Sequence, residues 1–231
     1  MKGPSIAASI PRLKLSSGHY IPQVGFGLWK VPAAQTADAV YGAIKAGYRH
    51  IDGAYGYANS AEAGQGVRRA IAHGLVSRDD LFITSKLWNN HHAPAHATRM
   101  ANEELRAWGL DHLDLYLIHF PIATQWVDPS SFLELGNPRA AAMPPLMDVP
   151  LVKAIAARHG RTPAQVLLRW CTQRGIVVIP KSMRAERVRE NLDCCGFDLE
   201  AAELEAISGL DRGLRFNDPG VTHGGSVRIF T

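Results

Sequence analysis

From Thr36 to Ala46 the apolar side chains Ala37, Val40, Tyr41 and Ile44 fall on one helical face, and Gly47 follows as a C-terminal stop. The next run, Tyr48 to Ala54, is apolar and aromatic and reads as a strand. The rhythm then repeats, with a helix over Ala61 to His73, a strand over Leu81 to Leu87, a helix over Ala95 to Trp108 and a strand over Leu113 to Phe120. Strands alternating with helices at this spacing predict a parallel sheet covered by helices. Upstream, Pro11 to Pro22 alternates apolar and polar positions around Ser16-Ser17-Gly18, the pattern of a β-hairpin. Gln23 to Trp29 reads as a strand whose two glycines suggest a bulge or a close backbone approach, with Trp29 at its carboxyl end.

The rhythm fails after Pro121. Residues 122 to 150 are rich in proline and small side chains and read as a long irregular connection. A helix is expected over Leu151 to His159. A second begins at Thr162-Pro163-Ala164-Gln165, where an N-cap, a first-turn proline and a Gln three residues after the cap coincide, and Val166, Leu167 and Trp170 should face the core. Gly175 to Ile179 reads as a short, fully buried strand ending at Pro180-Lys181-Ser182. Helices over Ala185 to Asp193 and Glu200 to Leu210 precede a tail, Gly213 to Thr231, expected to be a loop over the mouth of the scaffold.

Three of these strands end on polar groups. The run through Ile51 stops at Asp52, with Tyr57 five residues on; the next stops at Lys86, and the next at His119. In a parallel barrel, catalytic groups come from the carboxyl ends of several strands, so Asp52, Tyr57, Lys86 and His119 should share one face. Taken singly, each has a bland reading: Lys86 as a solvated or structurally paired lysine, Tyr57 as a rim aromatic, and Trp29 and Trp88 as caps on the core.

Composition narrows the class. Apolar residues make up 46% and charged residues 20% of the 231-residue chain, ordinary for a single globular domain. No apolar run approaches the roughly 18 residues of a membrane span, so a soluble cytoplasmic protein is expected. The three cysteines, Cys171, Cys194 and Cys195, have neither metal-site spacing nor a disulfide framework, which fits a reducing compartment, and Cys194-Cys195 reads as helix packing. A net charge of +4 is compatible with anionic ligands, but basic residues cluster only from Lys181 to Arg189. That favours a local phosphate site over a nucleic-acid surface, although the run also reads as one solvated helix face.

Taken together, Asp52 with Tyr57, Thr84-Ser85-Lys86-Leu87-Trp88, Leu115-Tyr116-Leu117-Ile118-His119-Phe120-Pro121 and Ile179-Pro180-Lys181-Ser182 resemble the aldo-keto reductase family in its xylose reductase-like branch. Gly213 to Pro219 resembles the tail of that branch. The resemblance implies a (β/α)8 barrel and hydride transfer from NADPH to the carbonyl of an aldehyde or aldose, giving an alcohol. It implies Tyr57 as general acid, Lys86 lowering the Tyr57 pKa, Asp52 pairing with Lys86, and His119 orienting the carbonyl. Trp29, Trp88 and Phe120 would wall the substrate site, with no metal involved. Lys181, Ser182, Arg187 and Asn191 match the family's anchor for the adenosine end of NADP. The two cations there favour NADPH over NADH, although the branch includes enzymes that use both.

The sequence departs from that family in one respect. Only about five of the eight barrel strands can be found, so three βα units are missing between 122 and 150 of a single domain, 1–231. In the family that region carries a Ser-Asn pair and a Gln for the nicotinamide amide and an aromatic that stacks on the ring. No Ser-Asn dipeptide occurs in this chain. The alternative is therefore a non-catalytic remnant with partial cofactor binding or an interaction role. An unclosed parallel sheet leaves two edges, to be covered by self-association or left as the mark of a poorly stable deletion product.

Overall fold

The computed structural model describes residues 10–120 and 145–213. A hairpin opens the chain: β1 (Arg12–Lys14) pairs antiparallel with β2 (Tyr20–Pro22). Then β3 (Phe26–Gly27), α1 (Ala33–Ala46), β4 (His50–Asp52), α2 (Ser60–Ala72), β5 (Phe82–Leu87), α3 (Pro94–Trp108) and β6 (Leu115–Ile118) follow in strict alternation. The four strands form one parallel sheet in the order β3-β4-β5-β6. This is the (β/α) arrangement expected from the alternating pattern.

The later segment is helical: α4 (Pro150–His159), α5 (Pro163–Gln173), α6 (Ala185–Leu192) and α7 (Ala201–Ser208). Thr162 caps α5 as its sequence suggests, accepting from the Gln165 amide at 3.2 Å while its own amide donates to Gln165 Oε1 at 3.0 Å. Val166 is buried in a second apolar cluster with Val152 and Ile155, and Leu167 and Trp170 pack against it half-buried. The main core lies between sheet and helices, with Val24, Phe26, Ile51 and Ile83 against Val40, Ile44, Val67 and Trp108. Tyr48 ties α6 to this core by donating its hydroxyl to the Val188 carbonyl at 3.0 Å.

The segment around Val178 corrects one expectation. It runs parallel to β3 through the Val24–Val178 bridge and so supplies a fifth strand position, but Ile176 is 42% and Ile179 43% exposed. An apolar run is fully buried only when strands or helices cover both faces and both sides, and here β3 is its one sheet neighbour among the described residues. The opposite edge is similar: β6 pairs with β5 alone among the described residues, and Ile118 is 63% exposed. The described residues thus form an open arc of a (β/α) barrel.

Close approach explains both glycines of the β3 region. A Cβ on Gly25 would lie 2.5 Å from His50 Nδ1, and one on Gly27 would lie 2.7 Å from the Ile179 carbonyl oxygen. The expected strand from 23 to 29 is ordered as sheet only at Phe26–Gly27, because the chain on either side turns to serve the 178 segment and the loop beyond. The connection 122–150 lies outside the described residues up to 144, as does the tail from 214.

Candidate active site

Parallel strands in register carry the polar strand ends to one rim. Asp52 closes β4 opposite Thr84, and Lys86 pairs with Leu117 on β6, so His119 emerges beside it, its amide donating to the Leu87 carbonyl at 3.0 Å. Tyr57 ends a short 3-10 turn, Tyr55–Tyr57, and the next residue, Ala58, holds the left-handed conformation with φ 52°. A residue with a Cβ is strained there, and that strain is the cost of turning the chain directly into α2 with Tyr57 aimed back over the sheet.

The four groups converge. Lys86 Nζ donates to Asp52 Oδ1 at 2.8 Å and Oδ2 at 2.7 Å, to the Gly53 carbonyl at 2.8 Å, and to the Tyr57 hydroxyl at 3.3 Å. The Tyr57 and His119 rings meet edge to face with centroids 5.6 Å apart. Around His119 the aromatics close in: Trp88 lies edge-on at 5.0 Å and Phe120 stacks at 4.8 Å. Trp29 is not drawn into this cluster; it is 47% exposed, with Lys30 Nζ 4.8 Å from its ring centroid.

Electrostatics in the site follow from burial. Desolvation raises the Asp52 pKa against the opposing pull of Lys86, and desolvation lowers that of Lys86 against the opposing pull of Asp52. Tyr57 is raised, first by burial and then by the Asp52 carboxylate, which corrects the expectation that Lys86 lowers it. Burial and the neighbouring carboxylate both disfavour the phenolate, so the hydroxyl keeps its proton at neutral pH. His119 is lowered to about 4 by burial and then by the Lys86 charge, so its imidazole is neutral.

Two positioning residues escape a reading of the sequence. Asn59, almost fully buried, donates to the Leu28 carbonyl at 3.1 Å and the Val31 carbonyl at 3.0 Å, fastening the loop that carries Trp29 to the start of α2. Glu104 of α3 is buried and accepts from Ser60 of α2 and Ser85 of β5, locking the strand of Lys86 to both helices. A polar residue at the head of a helix and a glutamate in a charged helix give no pattern signal, because both act through distant partners.

The second group of candidates lies past the 178 segment. Lys181 and Arg187 are exposed and form no ion pair with any described residue. Ser182 Oγ accepts from the Arg184 amide at 3.2 Å, which leaves its own hydrogen free to donate, and Asn191 is half-buried on α6. Unpaired cations and a free hydroxyl at the start of a helix make a surface suited to phosphate.

A family model described as the aldo/keto reductase family matches residues 23–134 and 144–212. The chain is 40% identical over 312 aligned positions to an NAD(P)H-dependent pentose reductase of Pyricularia oryzae, covering 90% of this chain and 95% of that protein. It is 40% identical over 306 positions to an NAD(P)H-dependent D-xylose reductase of Aspergillus niger, covering 90% and 96%. Both alignments exceed the 231 residues of the chain, so each spans gaps on its side. Among solved structures, Bombyx mori aldo-keto reductase in complex with NADP superimposes with a TM-score of 0.80 at 28% identity, covering 92% of this chain and 96% of that one.

Proposed function

The chain belongs to the aldo/keto reductase family, and on that premise we propose that it is an oxidoreductase using NADPH to reduce the carbonyl of an aldehyde or aldose to an alcohol. The observation that carries the reading is the Lys86 ammonium, 2.7 Å from Asp52 and 3.3 Å from the Tyr57 hydroxyl, at the mouth of the sheet. Tyr57 is the proton donor to the developing alkoxide. Its raised pKa keeps the phenol protonated until an alkoxide, a far stronger base, forms beside it. His119, neutral, hydrogen-bonds the carbonyl oxygen and orients it, while Trp88 and Phe120 exclude water from one side.

The residues present fit a phosphorylated dinucleotide at its adenosine end, where Lys181, Ser182, Arg187 and Asn191 would hold it. When bound, it supplies the hydride. The two cations favour NADPH, and the relatives' names allow NADH as a second donor. Free thiols at all three cysteines are in keeping with a cytoplasmic setting, and no helix among the described residues is long and apolar enough to cross a membrane.

We read the interval 122–150 as the junction left by the loss of about three βα units from one domain. The break in the family match between 134 and 144, alignments longer than the chain, and two sheet edges left unpaired among the described residues support this. Those edges also favour a second reading, a non-catalytic remnant that binds cofactor in part and self-associates through Leu117, Ile118, Ile176 and Ile179. NADPH fluorescence titration followed by glyceraldehyde distinguishes the two. Binding with oxidation supports the reductase, binding without oxidation supports the remnant, and no binding contradicts both. Size exclusion with light scattering tests the edges: a well-behaved monomer would contradict self-association.

A further inference from the structure

Away from the rim, the turn that closes α6 carries two adjacent cysteines in unlike surroundings. Cys194 is fully buried in the main core, whereas Cys195 is half-buried and faces α5. Their sulfurs are 3.9 Å apart, close enough for one thiol to donate to the other. On α5, Arg169 and Thr172 confront Cys195. Arg169 binds Asp198, and the Nη1 donates weakly to Thr172 at 3.5 Å, but its buried Nε has no hydrogen-bond partner.

Burial decides the direction of the sulfur pair. A charge on Cys194 would sit fully buried in apolar packing with Arg169 as its weakest relief, whereas a charge on half-buried Cys195 would meet that guanidinium, the Thr172 hydroxyl and the Cys194 S–H. We propose that Cys195 is a thiolate modification site, oxidised by hydroperoxides, with Cys194 as the buried thiol that hydrogen-bonds it. The Cys195 sulfur attacks the terminal oxygen of the peroxide. An S–O bond forms as the O–O bond breaks, and the attacked oxygen keeps its hydrogen to give the sulfenic acid. The departing alkoxide or hydroxide takes a proton from water; sulfur is oxidised by two electrons and the peroxide reduced by two. Asp198 tempers the site by sharing Arg169, and the Arg161–Asp193 pair beside the turn is internally neutral. The acidities run the same way: Cys195 is lowered to about 6 while Cys171 and Cys194 are raised.

The test is iodoacetamide labelling of the full-length folded protein over about pH 5 to 9, with adducts located by peptide mass spectrometry. Cys195 should react ~10-fold or more faster than Cys171 or Cys194, with half-maximal rate well below the ordinary thiol value of about 8.5. Cys194→Ala and, independently, Thr172→Val should each move that midpoint upward. Hydrogen peroxide followed by dimedone should place the sulfenic acid adduct on Cys195. Preferential labelling of Cys171, a midpoint near that of a free thiol in the native chain, or no dimedone adduct would each overturn the proposal.

Discussion

Lys86 holds both carboxylate oxygens of Asp52, at 2.7 and 2.8 Å, where Asp52 is 4% and Lys86 9% exposed. An ion pair this deeply buried is costly to break from one side, because the surviving charge is left without its partner. Asp52→Asn should therefore lower the unfolding free energy by about 3–5 kcal/mol, less whatever Lys86 recovers by releasing its proton. It should also bring the Tyr57 pKa down, since the Asp52 charge is, after burial, the second cause raising it. Denaturant unfolding and a phenolate absorbance titration check the two effects.

Burial of neutral imidazoles gives a pH signature. His50 and His119 are both lowered from 6.5 to about 4, so the unfolded chain binds their protons first. For a group with a depressed folded-state pKa, the stabilisation is present above the unfolded value and is lost as pH falls, here from about 6.5 to about 4. His50 lies at the opposite end of β4 from Asp52 and shares a hydrogen bond with Thr84 Oγ1 at 3.1 Å. His50→Gln should remove close to one proton from the slope of stability against pH in that window, about 1.4 kcal/mol per pH unit. An unchanged slope would contradict a neutral buried His50.

Gly27→Ala should separate β3 from the segment it shares with Lys181. The added methyl would lie 2.7 Å from the Ile179 carbonyl oxygen, a backbone atom, and would strain the 3.2 Å bond from the Gly27 amide to Pro180. A loss of about 1–3 kcal/mol is expected, with NADPH affinity falling more than in a control substitution on α3.

Much of the site could be read from the chain because a charged side chain at the end of a buried strand must meet a partner there or be left desolvated and unpaired. Asp52 and Lys86 lie at the ends of buried strands, His119 follows the half-exposed edge strand β6, and parallel register places all three together. What could not be read depends on partners remote in sequence. Ile176 and Ile179 look like buried strand residues, but burial is a property of neighbours, and the neighbours on that side are absent among the described residues. The Tyr57 pKa moves opposite to expectation for the same reason: burial and the Asp52 carboxylate, both supplied by the folded surroundings, raise it. The left-handed Ala58 and the buried Glu104 carry no local pattern.

Lys181 and Arg187 make cofactor choice testable. Replacing both with Ala should raise the Kd for NADPH by ~10-fold or more, about 1.4 kcal/mol, and leave that for NADH nearly unchanged, because only the former carries the extra phosphate. Equal losses for both would mean that the pair steers charge in general.

The most direct measurement mixes NADPH-loaded protein with excess glyceraldehyde and follows nicotinamide absorbance for the native chain and for Tyr57→Phe. Loss of the hydroxyl leaves the Lys86–Asp52 pair in place, so cofactor binding should persist while oxidation slows by about 100- to 10,000-fold. Oxidation at the same rate in both proteins, or none in the native chain with NADPH bound, would contradict Tyr57 as the proton donor of a working reductase.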